Sequence, residues 1–541
     1  MSFSASSSSS ASSITDATAP TAQPPAPLAT RMRAWLAGEN GPLALLALIY
    51  FVTHMLVAGN YGYFRDELYY LEGGRHLAFG YVDFEPVIAV LAALMDALTR
   101  DNLVAIHVIP AAAGACLVFV TGLMARELGG GRFAQWLAAL GSAVTLVFLA
   151  TGSIFSMDIL DALLWTLCAY ILIRILRRDQ PRLWLLFGLV AGIGLMTKLT
   201  ILFFGLAVVV GLLLTPARRL FRTRWPWLGG LIALVIFSPF IIWNAVNGFP
   251  TWEFWHHYGG LSGGGPLGFL ANQLFAINPF NLGLIVAGLL FYFRGPQGKP
   301  YRALGWAYVF LYVVFTIINA KSYFLTPAYP LLYAGGGVVL ARGAWRPGRA
   351  WAKPALAIYA AILILSGLLL APLTMPVLSP TTYAQTYGHL TFLGNGGAGQ
   401  QTAGIYPQYL GDRFGWDTMT AQVAQVYNSL PPDERAQACI FTDNYGEASA
   451  INFFGPQYHL PPAISGHNNY YLWGPGACSG KVLITVDEAQ SDLQKSYGSV
   501  VQKGTITCSY CMTYEDNLPI YVCTQPKVSV RDAWRTVKHF N

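Results

Sequence analysis

Between Gly41 and Leu373 the sequence repeats one pattern: an apolar run of roughly 17 to 25 residues, enough to cross a bilayer as a helix, then a short polar break. Hydrocarbon leaves no partner for an open backbone polar group, so a chain of this kind folds as helices or as a closed barrel, and runs of this length select helices. The runs fall near 42–59, 102–125, 133–151, 157–176, 183–197, 199–215, 227–245, 279–293, 303–320, 324–341 and 354–373. They predict a polytopic α-helical membrane protein with about 11 transmembrane helices, plus or minus two. Only 11% of residues are charged and 54% are hydrophobic, against about a quarter charged in soluble domains.

The basic residues give the orientation. Arg126 and Arg132, Arg174 to Arg182, Arg218 to Arg224, Arg294 to Arg302 and Arg342 to Lys353 cluster between alternate runs, as in short cytoplasmic loops, with Arg31 and Arg33 before the first run. The net charge of +7 is therefore topology and gives no support to a nucleic-acid partner. The reading is an integral, multi-pass inner-membrane protein with a cytoplasmic amino terminus and a periplasmic carboxy-terminal domain. Residues 1–40, rich in Ser, Ala, Thr and Pro up to Thr30, read as a disordered cytoplasmic tail. Residues 41–373 form the transmembrane domain, with a first external loop over 60–101. Residues 374–541 form a small extracytoplasmic α/β domain.

That outer domain opens on "LGNGGAGQQTAG", a mobile connection. "WDTMTAQVAQVYNSLPPDERAQ" is spaced as a helix stopping at a Pro pair, "ACIFTDNYGEASAINFFG" as strand, turn and helix, and "KVLITVD" and "LPIYVCT" as strands. Cys439, Cys478, Cys508, Cys511 and Cys523 lie here, suiting disulfides in an oxidising compartment. Five is odd, and Cys439, at the head of an apolar strand, is expected to be the thiol left over. "CSYC" alone is weak support for redox chemistry.

The charges that stand out lie in the first external loop, "YFRDELYYLEGGRHLAFGYVDFEP". If "FRDELYYLEGGRHLA" is helical, Asp66, Tyr69, Tyr70 and Gly73 share one face while Glu67 points about 100° away. The adjacent acids then have different roles. Asp66, beside an aromatic pair of the kind sugars stack on, faces a cavity as a base, and Glu67 holds a backbone amide or a basic residue such as Arg65 or Arg75. The plainer alternative is that these acids solvate a surface loop. Asp158 and Asp161 stand at the outer mouth of the fourth run. A carboxylate at a helix centre costs roughly 2.5–3.5 kcal/mol, so the deeper Asp161 is the better functional candidate and Asp158 reads as a helix cap. Lys198 and Lys321 break the positive-inside pattern on the outer side, where a lysine can pair with a phosphate or simply snorkel to headgroups. Tyr323 and the rigid "TPAYP" follow Lys321. His107 reads as a satisfied core histidine, and His256 and His257 as external aromatic-loop residues. No Gly-rich phosphate loop is present, so a nucleotide site is not supported.

"FRDELYY", "GRHLAFGYVDFEP", "DALLWTLCAYILI" and "KSYFLTPAYP" resemble the polyprenyl-phosphate-dependent glycosyltransferases of the GT-C superfamily, in particular the lipid A aminoarabinose transferase and protein O-mannosyltransferase families. The resemblance covers roughly residues 45 to 345, and "DNYGEASAINFFGP" and "ISGHNNYYLWG" fit bacterial relatives in the outer domain. It implies an inverting transfer of a sugar from a polyprenyl-phosphate donor to a lipid, glycan or protein acceptor at the outer face. Carried over, Asp66 is the general base, Glu67 steadies the loop and Asp161 is a second acid near the reaction centre, completing the catalytic set. Lys321 contacts the lipid phosphate, and Tyr69, Tyr70, Arg75, Asp83, Asp158, Lys198 and Tyr323 complete the substrate-binding set. No cofactor is required, although the acids leave room for a divalent metal. Relatives usually carry Pro-Pro after "GYVD"; Glu85 stands where the first Pro is expected, which puts the loop shape and acceptor choice in question. The rival classes are a transporter or flippase, which would need acids at mid-depth and broken or repeated helices, and a receptor or scaffold acting through its outer domain.

Overall fold

Glycines set how closely the apolar helices approach. A Cβ on Gly188 would collide with Gly229, and one on Gly288 or Gly336 would strike the facing backbone at Leu332 or Leu284. Such small-residue contacts bring helix Leu183–Leu195 against Trp225–Val246, and Leu282–Phe293 against Tyr329–Ala344. Around these pairs lies the largest core, which includes Trp165, Phe204, Phe291, Tyr292 and Tyr333.

The computed structural model describes residues 40–257, 265–345, 350–389 and 404–541, with Ser2, Gly38 and Gly348. Apart from single positions, the expected tail and the "LGNGGAGQQTAG" connection lie outside the described residues. Six described helices are long and apolar enough to cross a membrane, eight if two bent pairs each count as one span, and three shorter apolar helices accompany them. The run 133–151 is not one helix: it breaks into Arg132–Ala143 and Leu146–Thr151. At the break the Thr145 hydroxyl turns back to the Gly141 carbonyl at 2.7 Å, a local side-chain bond that competes with helix propagation. Helix Gly265–Ile277 falls outside the apolar runs of the sequence. It meets Pro279–Phe293 at a 99° bend around Asn278, whose φ of +71° ends the helix. The first loop contains a further apolar helix, Pro86–Thr99, too short to register as a span.

The carboxy-terminal region follows its sequence reading. Helices Trp416–Ser429 and Tyr445–Phe454 accompany β1 (Ala438–Thr442), β2 (Ala463–Ser465), β3 (Val482–Val486), β4 (Tyr497–Ile506) and β5 (Leu518–Pro526). The sheet order is β2-β1-β3-β5-β4, with β1 parallel to β2 and β3, and β5 antiparallel to β3 and β4. Disulfides join Cys439 to Cys478 and Cys508 to Cys511. The free thiol here is therefore Cys523 and not Cys439: β5 holds Cys523 inside the sheet, fully buried, while the loop after Trp473 brings Cys478 to the start of β1.

From Pro42 to Asn541 the chain is one compact unit. A second core joins the first loop to the sheet domain: Leu68, Tyr69, Phe84 and Ile88 pack with Trp416, Val423, Ile440, Ala448, Ile484 and Ile520. The sheet domain is seated on the loop that carries the acids.

Candidate active site

The loop helix Arg65–Arg75 starts with two acids in its first turn, where the helix dipole favours negative charge. Its two glycines lay it flat on helix Pro86–Thr99, since a Cβ on Gly73 would meet Phe84 at 3.0 Å and one on Gly74 the Ala93 nitrogen at 2.7 Å. This seating turns Asp66, Tyr69 and Tyr70 to one side and Glu67 to the other.

Glu67 is fully buried. Its carboxylate accepts from the backbone nitrogens of Phe64 (2.8 Å) and Phe155 (2.6 Å) and from His107 Nε2 (2.7 Å). The other His107 nitrogen faces the Ala58 carbonyl at 2.7 Å, so the imidazole bridges Glu67 and the backbone at Ala58. Burial raises the Glu67 pKa, but His107, Arg413 and the Phe155 amide outweigh it and hold it below the usual range. Glu67 thus ties the loop helix to two other segments and does not line the cavity beside it.

That cavity, of about 510 Å³, is lined by Arg65, Asp66, Tyr69, Tyr70, Asp83, Asp158, Lys198, Lys321 and Tyr323 from the helical part, with Tyr445, Asn468 and Glu515 among those from the sheet domain. Leu146, Val147, Ala150 and Phe275 make an apolar wall. Asp66 Oδ1 accepts from the Tyr445 hydroxyl at 2.8 Å and lies 3.5 Å from Arg65 Nε. Both contacts fall on Oδ1, and the side chain is 29% exposed.

Lys198, at the turn between Leu183–Leu195 and Ile201–Leu213, pairs with Asp158 and lies 5.1 Å from the Tyr323 ring centre. Asp158 is therefore a cavity residue; the cap of its helix is Ser156, whose Oγ accepts from the Asp158 nitrogen. Burial, then Lys198, pulls the Lys321 pKa down to about 8. Asp161 lies deeper than the cavity lining. It accepts from Trp165 Nε1 (3.0 Å) and the Thr200 hydroxyl (2.6 Å), bracing the segment that carries Lys198. Glu85 accepts from the Leu199 nitrogen at 3.0 Å, so this residue, in the place of an expected Pro, stitches the first loop to the lysine turn.

Two expectations need correction. Arg75 is outside the lining: it pairs with Asp101 (3.0 Å) and Glu72 (3.3 Å) at the far end of the loop helix. Tyr69 does not offer its face to a sugar. It is 1% exposed, Tyr445 stacks on it at 4.3 Å, and its hydroxyl donates to Asp83 at 3.0 Å. Asn469 holds both Tyr69 and Asp83, and Asn468 donates to the second Asp83 oxygen at 2.9 Å. Burial raises the Asp83 pKa to about 7. The sheet-domain contributors Tyr445, Asn468 and Asn469 went unassigned in the sequence, although they fall within "DNYGEAS" and "GHNNYY", polar clusters with no periodicity of their own. Among the described residues no group of three or more His, Cys, Asp or Glu converges as a metal site does.

A helical bundle, a short acidic loop helix and a sheet domain close on one cavity, and solved structures share this fold. The chain resembles the lipid A aminoarabinose transferase and protein O-mannosyltransferase families. The dolichyl-phosphate-mannose-protein mannosyltransferase family matches residues 83–243. The lipid A galacturonosyltransferase RgtD of Rhizobium johnstonii is 28% identical over 217 residues, 39% of this chain and 44% of its own, so the match spans less than half of that relative. ArnT from Cupriavidus metallidurans, bound to undecaprenyl phosphate, shares the fold at 16% identity with a TM-score of 0.57, covering 88% of this chain and 97% of that one. Its apo state superposes with a TM-score of 0.58 at 16% identity, over 91% and 98% of the two chains.

Proposed function

We propose that this chain is an inverting glycosyltransferase that moves a sugar from a polyprenyl-phosphate donor to an acceptor hydroxyl at the outer face of the inner membrane. The observation that carries the reading is one cavity holding a partly exposed carboxylate, Asp66, and two lysines, Lys198 and Lys321, beside an apolar wall. An amphiphilic phosphate ester matches that combination: the prenyl chain lies on Leu146, Val147, Ala150 and Phe275, and the phosphate meets the lysines. The undecaprenyl phosphate held by the ArnT neighbour and the galacturonosyl transfer named for RgtD support the same class of chemistry.

In this reading Asp66 takes the proton of the acceptor hydroxyl as its oxygen attacks the anomeric carbon, the bond from that carbon to the phosphate oxygen breaks, and the configuration inverts. Lys321 and Lys198 hold the charge on the departing phosphate, which removes the need for a general acid. Glu67, Asp161 and Glu85 are positioning residues. The Arg clusters support a cytoplasmic amino terminus and a periplasmic sheet domain, in keeping with the two disulfides there.

Purified protein supplied with a polyprenyl-phosphate sugar and acceptor is expected to release polyprenyl phosphate, and Asp66→Asn to stop that release. Transmembrane flux of the lipid with no chemical change would instead assign the cavity to a flippase.

A further inference from the structure

Arg65 is fixed along its length and left open at its tip. The side chain crosses the start of helix Tyr445–Phe454 at a glycine, where a Cβ on Gly446 would meet Arg65 Cγ at 2.5 Å and Cδ at 2.7 Å. Its guanidinium sits over the Tyr445 ring, 5.4 Å from the ring centre. Nε stands between two carboxylates, 3.5 Å from Asp66 Oδ1 and 3.7 Å from Asp412 Oδ2. Asp412 is itself buried and held by Gln408 (2.9 Å) and the Tyr514 hydroxyl (2.7 Å), and its carbonyl accepts from the Arg65 backbone nitrogen at 3.0 Å.

These contacts use the stem, the plane and Nε. Nε is enclosed, but the two terminal nitrogens, which take no hydrogen bond among the described residues, are not. The side chain is 20% exposed and lines the cavity of about 510 Å³. An arginine that served only Asp66 and Asp412 gains most by turning paired terminal nitrogens on a carboxylate; here it is Nε that faces both. The terminal pair matches two oxygens of a phosphate or carboxylate, and a guanidinium held in one plane loses little freedom in binding them.

The charges of the cavity admit such a group. Lys321 lines the same space, and Arg65 adds to burial and Lys198 in lowering its pKa, a repulsion between cations that an anion relieves. Among the lining acids, Asp158 is paired with Lys198, and burial lifts Asp83 to about 7 and Glu515 to about 8. Near neutral pH these acids therefore oppose an anion less than their number suggests.

Resting on the transferase reading, we infer that the terminal nitrogens of Arg65 bind a substrate oxyanion beside the Asp66 carboxylate, a role separate from that of the two lysines. In an inverting displacement the attacking and departing oxygens lie on opposite faces of the anomeric carbon. Arg65 stands beside the base, on the side of attack, which suits a phosphate or carboxylate carried by the acceptor. The donor phosphate is the other source of the same chemistry.

The test is equilibrium binding to the detergent-purified full chain, to Arg65→Lys, and to the double variant Arg65→Met/Asp412→Asn, which removes the cation together with its buried partner so that neither charge is stranded. The probes are undecaprenyl phosphate, and glycerol phosphate added to chain already saturated with undecaprenyl phosphate. If the oxyanion belongs to the acceptor, both variants should bind undecaprenyl phosphate within twofold of the wild type, which also reports a folded cavity, and should bind glycerol phosphate about tenfold more weakly, since lysine does not reproduce a two-point contact. If the donor phosphate meets Arg65, undecaprenyl phosphate itself should weaken about tenfold in both. Undecaprenyl phosphate affinity unchanged in both variants, with glycerol phosphate affinity unchanged or absent in the wild type, overturns the role of Arg65 while leaving the transferase reading in place. Failure of the wild type to bind undecaprenyl phosphate overturns the transferase reading itself.

Discussion

Asp66 and Glu67 are neighbours in the chain and opposites in the structure. One is open to a cavity and held by a tyrosine and an arginine on a single oxygen; the other has no exposed surface and three donors on it. Asp66→Asn, which keeps the shape and removes the basicity, is expected to cut turnover about 10²- to 10⁴-fold with an unchanged melting temperature, the range a general base contributes. Tyr445→Phe removes one bond to the same oxygen and should lower turnover far less. Lys321 carries a pH signature. Its pKa of about 8 means that the cation is present below that pH and is lost above it, so donor affinity should fall as pH rises through about 8. Lys321→Met should bind the donor weakly at every pH and abolish that step, as titrations of donor binding from about pH 6 to 10 would show.

At the scale of elements, the loop helix is held in place by bonds that cross the fold. Glu67→Gln leaves His107 facing an amide in place of a carboxylate, and breaking a buried pair of this kind typically costs about 3–5 kcal/mol. Thermal or chemical unfolding should show that loss. Glu85 acts the other way. Burial raises its pKa from 4.5 to about 8, so between those values the folded chain keeps a proton that the unfolded chain releases, and this group's contribution to stability falls as pH climbs from 4.5 to about 8. Glu85→Gln retains an acceptor for the Leu199 nitrogen and should flatten that decline in a melting series across the window. The disulfide from Cys439 to Cys478 closes 39 residues of sequence separation around β2. By loop-closure entropy its removal in Cys439→Ser/Cys478→Ser should cost about 4 kcal/mol, read as a lower melting temperature.

For the whole molecule, the sheet domain is a working part of the cavity and not an appended module. Asn469 bonds to Val82, Tyr69 and Asp83 across more than 380 residues of sequence, and the apolar core is shared between loop and sheet. Asn469→Ala should therefore lower turnover while the sheet domain stays resistant to limited proteolysis. A scaffold protein acting through its outer domain would lose neither activity nor loop order on that change.

Much of this was legible without coordinates because it depends on periodicity and local chemistry. Apolar run length marked most of the helices, short apolar runs bounded by turn residues marked β1, β3 and β5, and the helical period separated Asp66 from Glu67. The break at Thr145, the role of Asp158, the face of Tyr69 lost to Tyr445, the thiol left at Cys523 and the roof over Asp66 were not legible. Each depends on tertiary packing, most often on a partner far away in sequence, and a single chain read in order carries no distance between Asp83 and Asn468. Sequence alone determined that this protein is a helical membrane chain with an acidic loop between apolar runs, since hydrophobic burial and helix geometry act residue by residue. Only the tertiary structure decided that Asp66 is held by Tyr445 at the edge of a cavity, that Glu67 is bonded to His107 and Phe155, and that the sheet domain supplies the remaining wall, because those outcomes follow from packing between surfaces far apart in the chain.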